Sequence, residues 1–509
     1  MTVAAASSVD YADVQGLVRF GYKNMTEARY VLLRIANRAQ ACAWLRSAHV
    51  NDAVARDPAP TRALHVAFTA DGLRALEIPK ELIAGFSPEF LAGMAGDENR
   101  SRRIGDVGPN APSSWRWGVA ERAPHLAVMF FAASGELETH VQRETSAWGS
   151  AFEIVERLDT SDLHGYEHFG FTDGISQPLP DWDERRNVSH EQDAYGNVVS
   201  LGEFLLGYPN EYGKYTERPL LDSNESTSEL LTASDVPIKR DIGRNGTYVV
   251  IRDLEQDVRG FWRFALERSG GDRDRAEALA SAFVGRTRSG EPLARNHTAG
   301  ISGIGARPDD ERLNGFTFDD DPTGSRCPIG AHVRRANPRN ADTPRPASNP
   351  VMRLIATLGL APHRFGEDLT SSTRFHRVMR RGREYGPSLP TPQAFETAPE
   401  GDAARGLIFI CLNANIKRQF EFLQNAWLMG TKFNGLFNES DPLLGNRQPV
   451  AGMPATDAFT LPRIGDVAER VAGLPPFVTV RGGAYFFLPS LRVLRYFSDI
   501  GAANERNST

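Results

Sequence analysis

Residues 168–178 read HFGFTDGISQP. One acid, Asp173, stands among Gly170, Gly174, Phe169 and Phe171. Glycines on both sides of a carboxylate mark a backbone path that residues with a Cβ avoid. The flanking aromatics set that path against packed structure rather than solvent. A carboxylate held in such a place tends to have a displaced pKa and a task. An Asp-Gly pair also closes ordinary hairpins. The stretch alone leaves both readings standing.

Upstream, 15–22 (QGLVRFGY) reads as a strand and 26–46 as a helix, with Val31, Leu32, Ile35 and Leu45 at helical spacing. Residues 63–68 (ALHVAF), 125–131 (HLAVMFF) and 152–158 (FEIVERL) read as strands, and 70–78 and 135–148 as helices. The polar, Gly-rich 94–117 is expected to be loop. This strand–helix–strand–strand–helix–strand order is close to the ferredoxin-like pattern. Downstream, 179–245 breaks the rhythm and reads as an excursion or linker. The rhythm returns with strands at 246–253 and 406–412, helices at 254–267, 274–285 and 416–427, and two short β segments at 477–488 hinged at Gly482 and Gly483. The expected fold class is therefore α+β: a weak internal duplication of two ferredoxin-like units with central antiparallel sheets. The expected division is 1–178, an insertion or linker at 179–245, and 246–509.

Length and composition bound the rest. A chain of 509 residues with 41% hydrophobic and 24% charged residues can build two cores. A net charge of −6 supplies no basic field, so nucleic acid is not an expected partner. No apolar run has transmembrane length. The first residues, MTVAAASSVDYADVQ, lack a basic and an apolar leader region. Cys42, Cys327 and Cys411 are too few and too widely spaced for a disulfide framework or a four-thiolate metal site. A reducing cytoplasm is the expected location.

Three further stretches carry chemistry. Residues 327–339, CPIGAHVRRANPR, place His332 after a Gly-Ala pair and before Arg334, Arg335 and Arg339. Small neighbours let something bulky approach the ring, and the arginines suit a ligand carrying carboxylates or phosphates. No second His or Cys stands at zinc-finger spacing; a lone His suits haem iron better. A surface His in a basic loop would look the same. Residues 374–386, RFHRVMRRGREYG, alternate cations with Val378 and Met379. That is either a solvated basic face or a strand carrying an arginine inward. In 406–412 (GLIFICL), Leu407 and Phe409 point to one face of a strand, as core or as pocket lining.

Together these motifs resemble the dye-decolourising peroxidases. GFTDG matches the family's GxxDG motif. CPIGAHVRRANPR is similar to the stretch with its proximal histidine, and HRVMRRGREYG to the stretch with its distal arginine. GLIFICL, RQFEFLQNAW and VTVRGGAYFFLP follow in family order, so the likeness spans roughly residues 15 to 497 of a chain resembling the longer members. The resemblance implies two ferredoxin-like domains of the dimeric α+β-barrel type, with haem b in the C-terminal one. His332 would be the iron ligand and Asp173 the distal acid–base residue. Arg380, six residues before Gly386, would be the distal arginine, with Arg377 and Arg381 as rivals in register. Leu407 and Phe409 would line the pocket, and Gly170 and Gly174 would let the backbone approach the haem. Arg339 would meet a propionate, and Glu421 would accept from the His332 ring. Some members carry Asn two residues after the distal arginine; here that position is Gly382.

The implied activity is haem-dependent peroxidation, using hydrogen peroxide to oxidise dyes, phenols and other one-electron donors. An aspartate base implies an acidic optimum unless burial raises its pKa. Trp115, Trp117, Trp182 and Tyr385 are candidate surface relays to bulky reductants. A non-catalytic haem carrier on the same fold is the alternative, and oligomerisation is left open.

Overall fold

The first strand is Glu27–Ile35 (β1), within the stretch expected to be helical. Both faces of β1 are buried, so its apolar residues crowd at spacings that mimic a helix. The helix begins only at Arg38, where Asn37 caps it by accepting from the Gln40 amide, and ends at Ser47. Residues 15–22 form no strand. They hold a single 3₁₀ turn, Gly16–Val18, pinned by the Gln15 side chain, which bonds Val66 through both ends of its amide.

The computed structural model describes residues 9–183, 197–294, 313–318, 320–339, 372–448 and 450–506, the last six of these by backbone alone. Arg62–Phe68 (β2), Leu126–Ala132 (β3) and Phe152–Asp159 (β4) join β1 in the antiparallel order β4-β1-β3-β2. Val31 and Leu33 of β1 face one core, Tyr30 and Leu32 the other, as period two requires. Strand β3 is buried throughout because the sheet is covered on both faces.

The 179–245 segment holds two short pairs: β5 (Leu179–Pro180) with β6 (Val198–Val199), and β7 (Leu220–Asp222) with β8 (Lys239–Asp241). It is not a free linker. Phe204, Leu205 and Tyr208 are buried against the sheet, and Glu203 receives both terminal nitrogens of Arg418 at 2.9 and 2.6 Å.

The second half supplies Thr247–Gln256 (β9), Met379–Arg380 (β10), Arg383–Tyr385 (β11), Gly406–Asn413 (β12), the hairpin Phe459–Leu461 (β13) and Glu469–Val471 (β14), and Val478–Leu488 (β15). Its order, β15-β9-β12-β10 with β11 on the same edge, repeats that of the first half. The duplication read from the sequence is therefore real in the topology. The halves meet where Phe487 of β15 pairs with Phe68 of β2, giving one nine-stranded sheet. Strand β15 is continuous, with a register shift between Val480 and Gly482 in place of a hinge. A Cβ at Gly482 would stand 2.4 Å from Trp117 Nε1, so that indole requires the glycine. Residues 417–428 wind as π-helix, Lys417–Glu421 and Leu423–Leu428, where an α-helix was expected. Among the described residues no helix is long and apolar enough to cross a membrane.

Candidate active site

The sheet of the second half forms one wall of a cavity. Register pairs Leu407 with Leu254, Phe409 with Arg252 and Arg380 with Cys411, so these side chains share a face. Leu254, Arg252, Leu407, Phe409 and Arg380 all line the cavity, and His332 lines it too.

Asp173 enters the cavity from the 167–174 loop. Its amide donates to Gly165 O at 2.9 Å, and Oδ1 receives Arg380 Nη1 at 3.0 Å. Burial alone would raise its carboxyl. The Arg380 guanidinium and the Gly174 amide outweigh that and hold it below its ordinary value. Arg380 is itself placed by Gln177, whose Oε1 accepts its amide at 3.0 Å. The rival Arg381 turns the other way, onto Leu17 O and Val18 O at 2.9 and 3.0 Å. Arg377 lines the cavity but does not bond Asp173. At Gly382 a Cβ would stand 2.6 Å from Ile408 O, so an Asn would not fit this backbone. Gly170 and Gly174 take φ of +92° and +72°, which explains the glycines, but neither lines the cavity as expected. At Gly170 the limit is Arg288, whose Nη2 would lie 2.5 Å from a Cβ.

His332 starts the short helix His332–Ala336. Its Nδ1 lies 3.0 Å from Asp441 Oδ2. A carboxylate only accepts, so Nδ1 carries the proton and Nε2 is left with its lone pair. Asp441 is fully buried, and its other oxygen accepts the amides of Leu443 and Leu444 at 2.9 and 2.8 Å. Burial would raise its carboxyl; the His332 ring and the Leu444 amide bring it below its ordinary value. Glu421, expected in this role, lies elsewhere. It is clamped by Arg100 Nη1 at 2.6 and 2.8 Å and by Tyr485 Oη at 3.0 Å. The only hint of Asp441 in the sequence is an Asp-Pro-Leu-Leu step suited to a side-chain-capped turn.

The arginines after His332 also depart from expectation. Arg334 bonds Asp321 Oδ2 and Cys327 O, and Arg335 bonds the carbonyls of Trp427, Gly430 and Glu439. Arg339 Nη1 is bonded to Asn314 O at 2.8 Å and Phe316 O at 3.0 Å. None of the three lines the cavity. The helix directs them into the protein, where main-chain carbonyls take up their donors. Gly330 likewise serves packing: its missing Cβ would lie 3.2 Å from the Phe459 ring.

Three further arginines line the cavity beside Arg380: Arg252, which is paired with Asp106, Arg286, whose Nη1 bonds Gly290 O and Leu313 O at 2.7 Å each, and Arg377. Burial and the charge of Arg380 push Arg286 and Arg377 down to about 10; Arg374 adds to the effect on Arg377. Neither forms an ion pair among the described residues. Of the aromatics expected at the surface, Trp115 and Trp117 are buried, while Trp182 and Tyr385 are half-buried.

Known proteins resemble this chain along nearly its whole length. It is 27% identical to a dye-decolorizing peroxidase of Mycetinis scorodonius, over 97% of this chain and 88% of that protein. It is 28% identical to a multifunctional dye peroxidase of Amycolatopsis, over 86% of this chain and 82% of that one. No protein-family model matches. Its fold superposes on a solved dye-decolorizing peroxidase in complex with 2,6-dimethoxyphenol with a TM-score of 0.68 and 25% identity, covering 96% of this chain and 99% of that one. The fungal enzyme of Auricularia auricula-judae gives a TM-score of 0.71 at 24% identity, over 97% of this chain and all of the other. The chain is similar to dye-decolourising peroxidases along nearly its whole length.

A dye-decolourising peroxidase is a haem enzyme, and the cavity fits that group. His332 offers one imidazole nitrogen whose partner nitrogen is already engaged. Arg286 and Arg377 form a cationic pole without carboxylates of its own, the complement of two propionates. Phe169, Phe171, Leu407, Phe409 and Phe420 give the wall large apolar surfaces, as a porphyrin plane requires.

Proposed function

We propose that this peroxidase binds haem b through His332 and uses hydrogen peroxide to oxidise phenols, dyes and other one-electron donors, with Asp173 and Arg380 as its distal pair. One observation supports the reading: the Asp173–Arg380 pair and His332, which Asp441 holds by its Nδ1, line a single cavity. The relatives' names and the 2,6-dimethoxyphenol complex of one of them support the reductants.

Bound haem supplies the iron at which the peroxide bond is broken. Asp173, ionised, takes the proton from the inner peroxide oxygen and returns it to the outer one, which leaves as water. The Arg380 guanidinium draws peroxide in and stabilises the negative charge that grows on the departing oxygen. Asp441 fixes the His332 ring and strengthens its donation through Nε2. Leu407 and Phe409 exclude water and bulky donors, so such donors deliver electrons from outside the cavity.

The test is Asp173→Asn. It should keep haem, yet slow the first spectral change after peroxide mixing by about 100-fold or more, the usual scale for a lost acid–base group. An unchanged stopped-flow rate sinks the assignment.

A further inference from the structure

Five successive amides, from Phe169 to Asp173, each have an acceptor, and Glu167 supplies three of the five. Its Oε2 accepts Phe169 N at 2.9 Å, its Oε1 accepts Phe171 N at 2.9 Å, and its carbonyl accepts Gly170 N at 2.8 Å. Its own amide donates to Phe171 O at 2.9 Å, closing the loop on itself. The remaining two amides, of Thr172 and Asp173, go to Arg288 O and Gly165 O. Gln256 Nε2 adds a third donor to the carboxylate, at 3.0 Å from Oε2. Gln256 belongs to β9, the strand that carries Arg252 and Leu254 into the cavity wall. Glu167 lines the same cavity. It takes no part in the chemistry derived above, yet it holds the loop that carries Asp173 to the wall that Asp173 must face.

We propose that Glu167 is the positioning residue of the distal site: its carboxylate braces the 167–173 loop against β9 so that Asp173 meets Arg380. This rests on the reading of Asp173 as the proton-transferring group. Two carboxyl oxygens matter because Phe169 N, Phe171 N and Gln256 Nε2 are all donors. An amide at this position would set its own N–H groups against the Phe169 amide. Gln256 could adapt, since its Oε1 is buried and has no partner, but the main-chain amide could not.

The experiment measures the peroxide-dependent first phase by stopped flow on haem-loaded Glu167→Ala, Glu167→Gln and Asp173→Asn. Glu167→Ala should keep the Soret band and the KM for the reductant, but lower the peroxide rate about 10- to 100-fold, the scale of a displaced catalytic group. Its acid limb should move to higher pH, because a loosened Asp173 loses part of its contact with Arg380. Glu167→Gln should be about 3- to 10-fold slower, the loss of about one hydrogen bond. A Glu167→Ala rate within about twofold of the parent, with Asp173→Asn slow, overturns the positioning role and leaves Asp173 standing. A slow Glu167→Ala beside an unchanged Asp173→Asn overturns the Asp173 reading, and with it any action of Glu167 through that residue. If Glu167→Ala does not retain haem, Glu167→Gln decides: parental rate and parental acid limb overturn the proposal.

Discussion

Asp173 Oδ1 lies 3.0 Å from Arg380 Nη1, a contact between residues 207 apart in the chain. Removing the cation leaves burial as the main influence on the Asp173 carboxyl, so its pKa must rise. The base works only above its pKa. In the parent the depressed value keeps Asp173 ionised into the acid range, whereas in Arg380→Leu the acid limb of the peroxide rate should move up by about one pH unit or more. A pH profile of the stopped-flow first phase checks this; an unmoved limb excludes the pairing as the source of Asp173's acidity.

Asp441 anchors the other side. Asp441→Asn keeps the volume but replaces the charged acceptor of His332 Nδ1–H with a neutral one. The expected cost is about 10- to 100-fold in activity or haem affinity, as for other partners of metal-bound histidines. The reduction potential should rise, because less electron density reaches the ring. Glu421→Gln serves as the comparison: it disturbs Arg100 and Tyr485 and should leave the potential in place. A spectroelectrochemical titration giving equal shifts for both would contradict the geometry.

The cationic pole separates two kinds of arginine. Arg377→Ala and Arg286→Ala should each speed haem loss to apomyoglobin about 10- to 100-fold, the worth of a charged hydrogen bond. Arg339→Ala should instead lower the melting temperature, since Asn314 O and Phe316 O lose their donor, and leave haem loss nearly unchanged. The reverse ranking would return Arg339 to the propionate.

Two carboxyls of the cavity wall, Asp106 and Glu167, are raised rather than lowered. Burial pushes Asp106 up to about 6 in spite of its ion pair with Arg252. It pushes Glu167 up to about 7, with the charge of Asp173 adding to it against three donors; Glu384 is a further acid near it. A folded-state pKa above the unfolded one means that the folded chain holds protons the unfolded chain has released. The associated stability is full near pH 4 and declines as pH rises through 6 to 7. The melting temperature of Asp106→Asn should therefore fall less than that of the parent between pH 5 and about 8, as linkage requires. Parallel curves for the two proteins would show that Asp106 does not titrate there.

Much of the second half was legible because its strands are short apolar runs bounded by glycine and proline. The first half misled at 15–22, which holds a 3₁₀ turn in place of a strand, and again over 26–46. Strand β1 is buried on both faces, so its pattern lacks the alternation that marks a strand. Asp173, His332, Arg380, Leu407 and Phe409, singled out from their local motifs, all line one cavity, because each is presented by a short segment whose own sequence sets its backbone. Asp441, Arg286 and Glu167 were not singled out. Asp441 bonds His332, Arg286 bonds Leu313 O, and Glu167, besides its local amides, bonds Gln256 on β9; these distant partners cannot be read from local sequence.

The sequence by itself determined an α+β duplication, a likeness to one family, and the residues proposed to move a proton or ligate iron. Only the tertiary structure decided which charges face the cavity. Arg334, Arg335 and Arg339 carry the same charge as Arg377, yet carbonyls from other segments hold the first three away from the cavity that Arg377 lines. Glu421 and Asp441 are both buried acids, yet Arg100 and Tyr485 claim the first, and only the second reaches His332. A side chain's chemistry is written in one residue; its partner is set by how the rest of the chain packs around it.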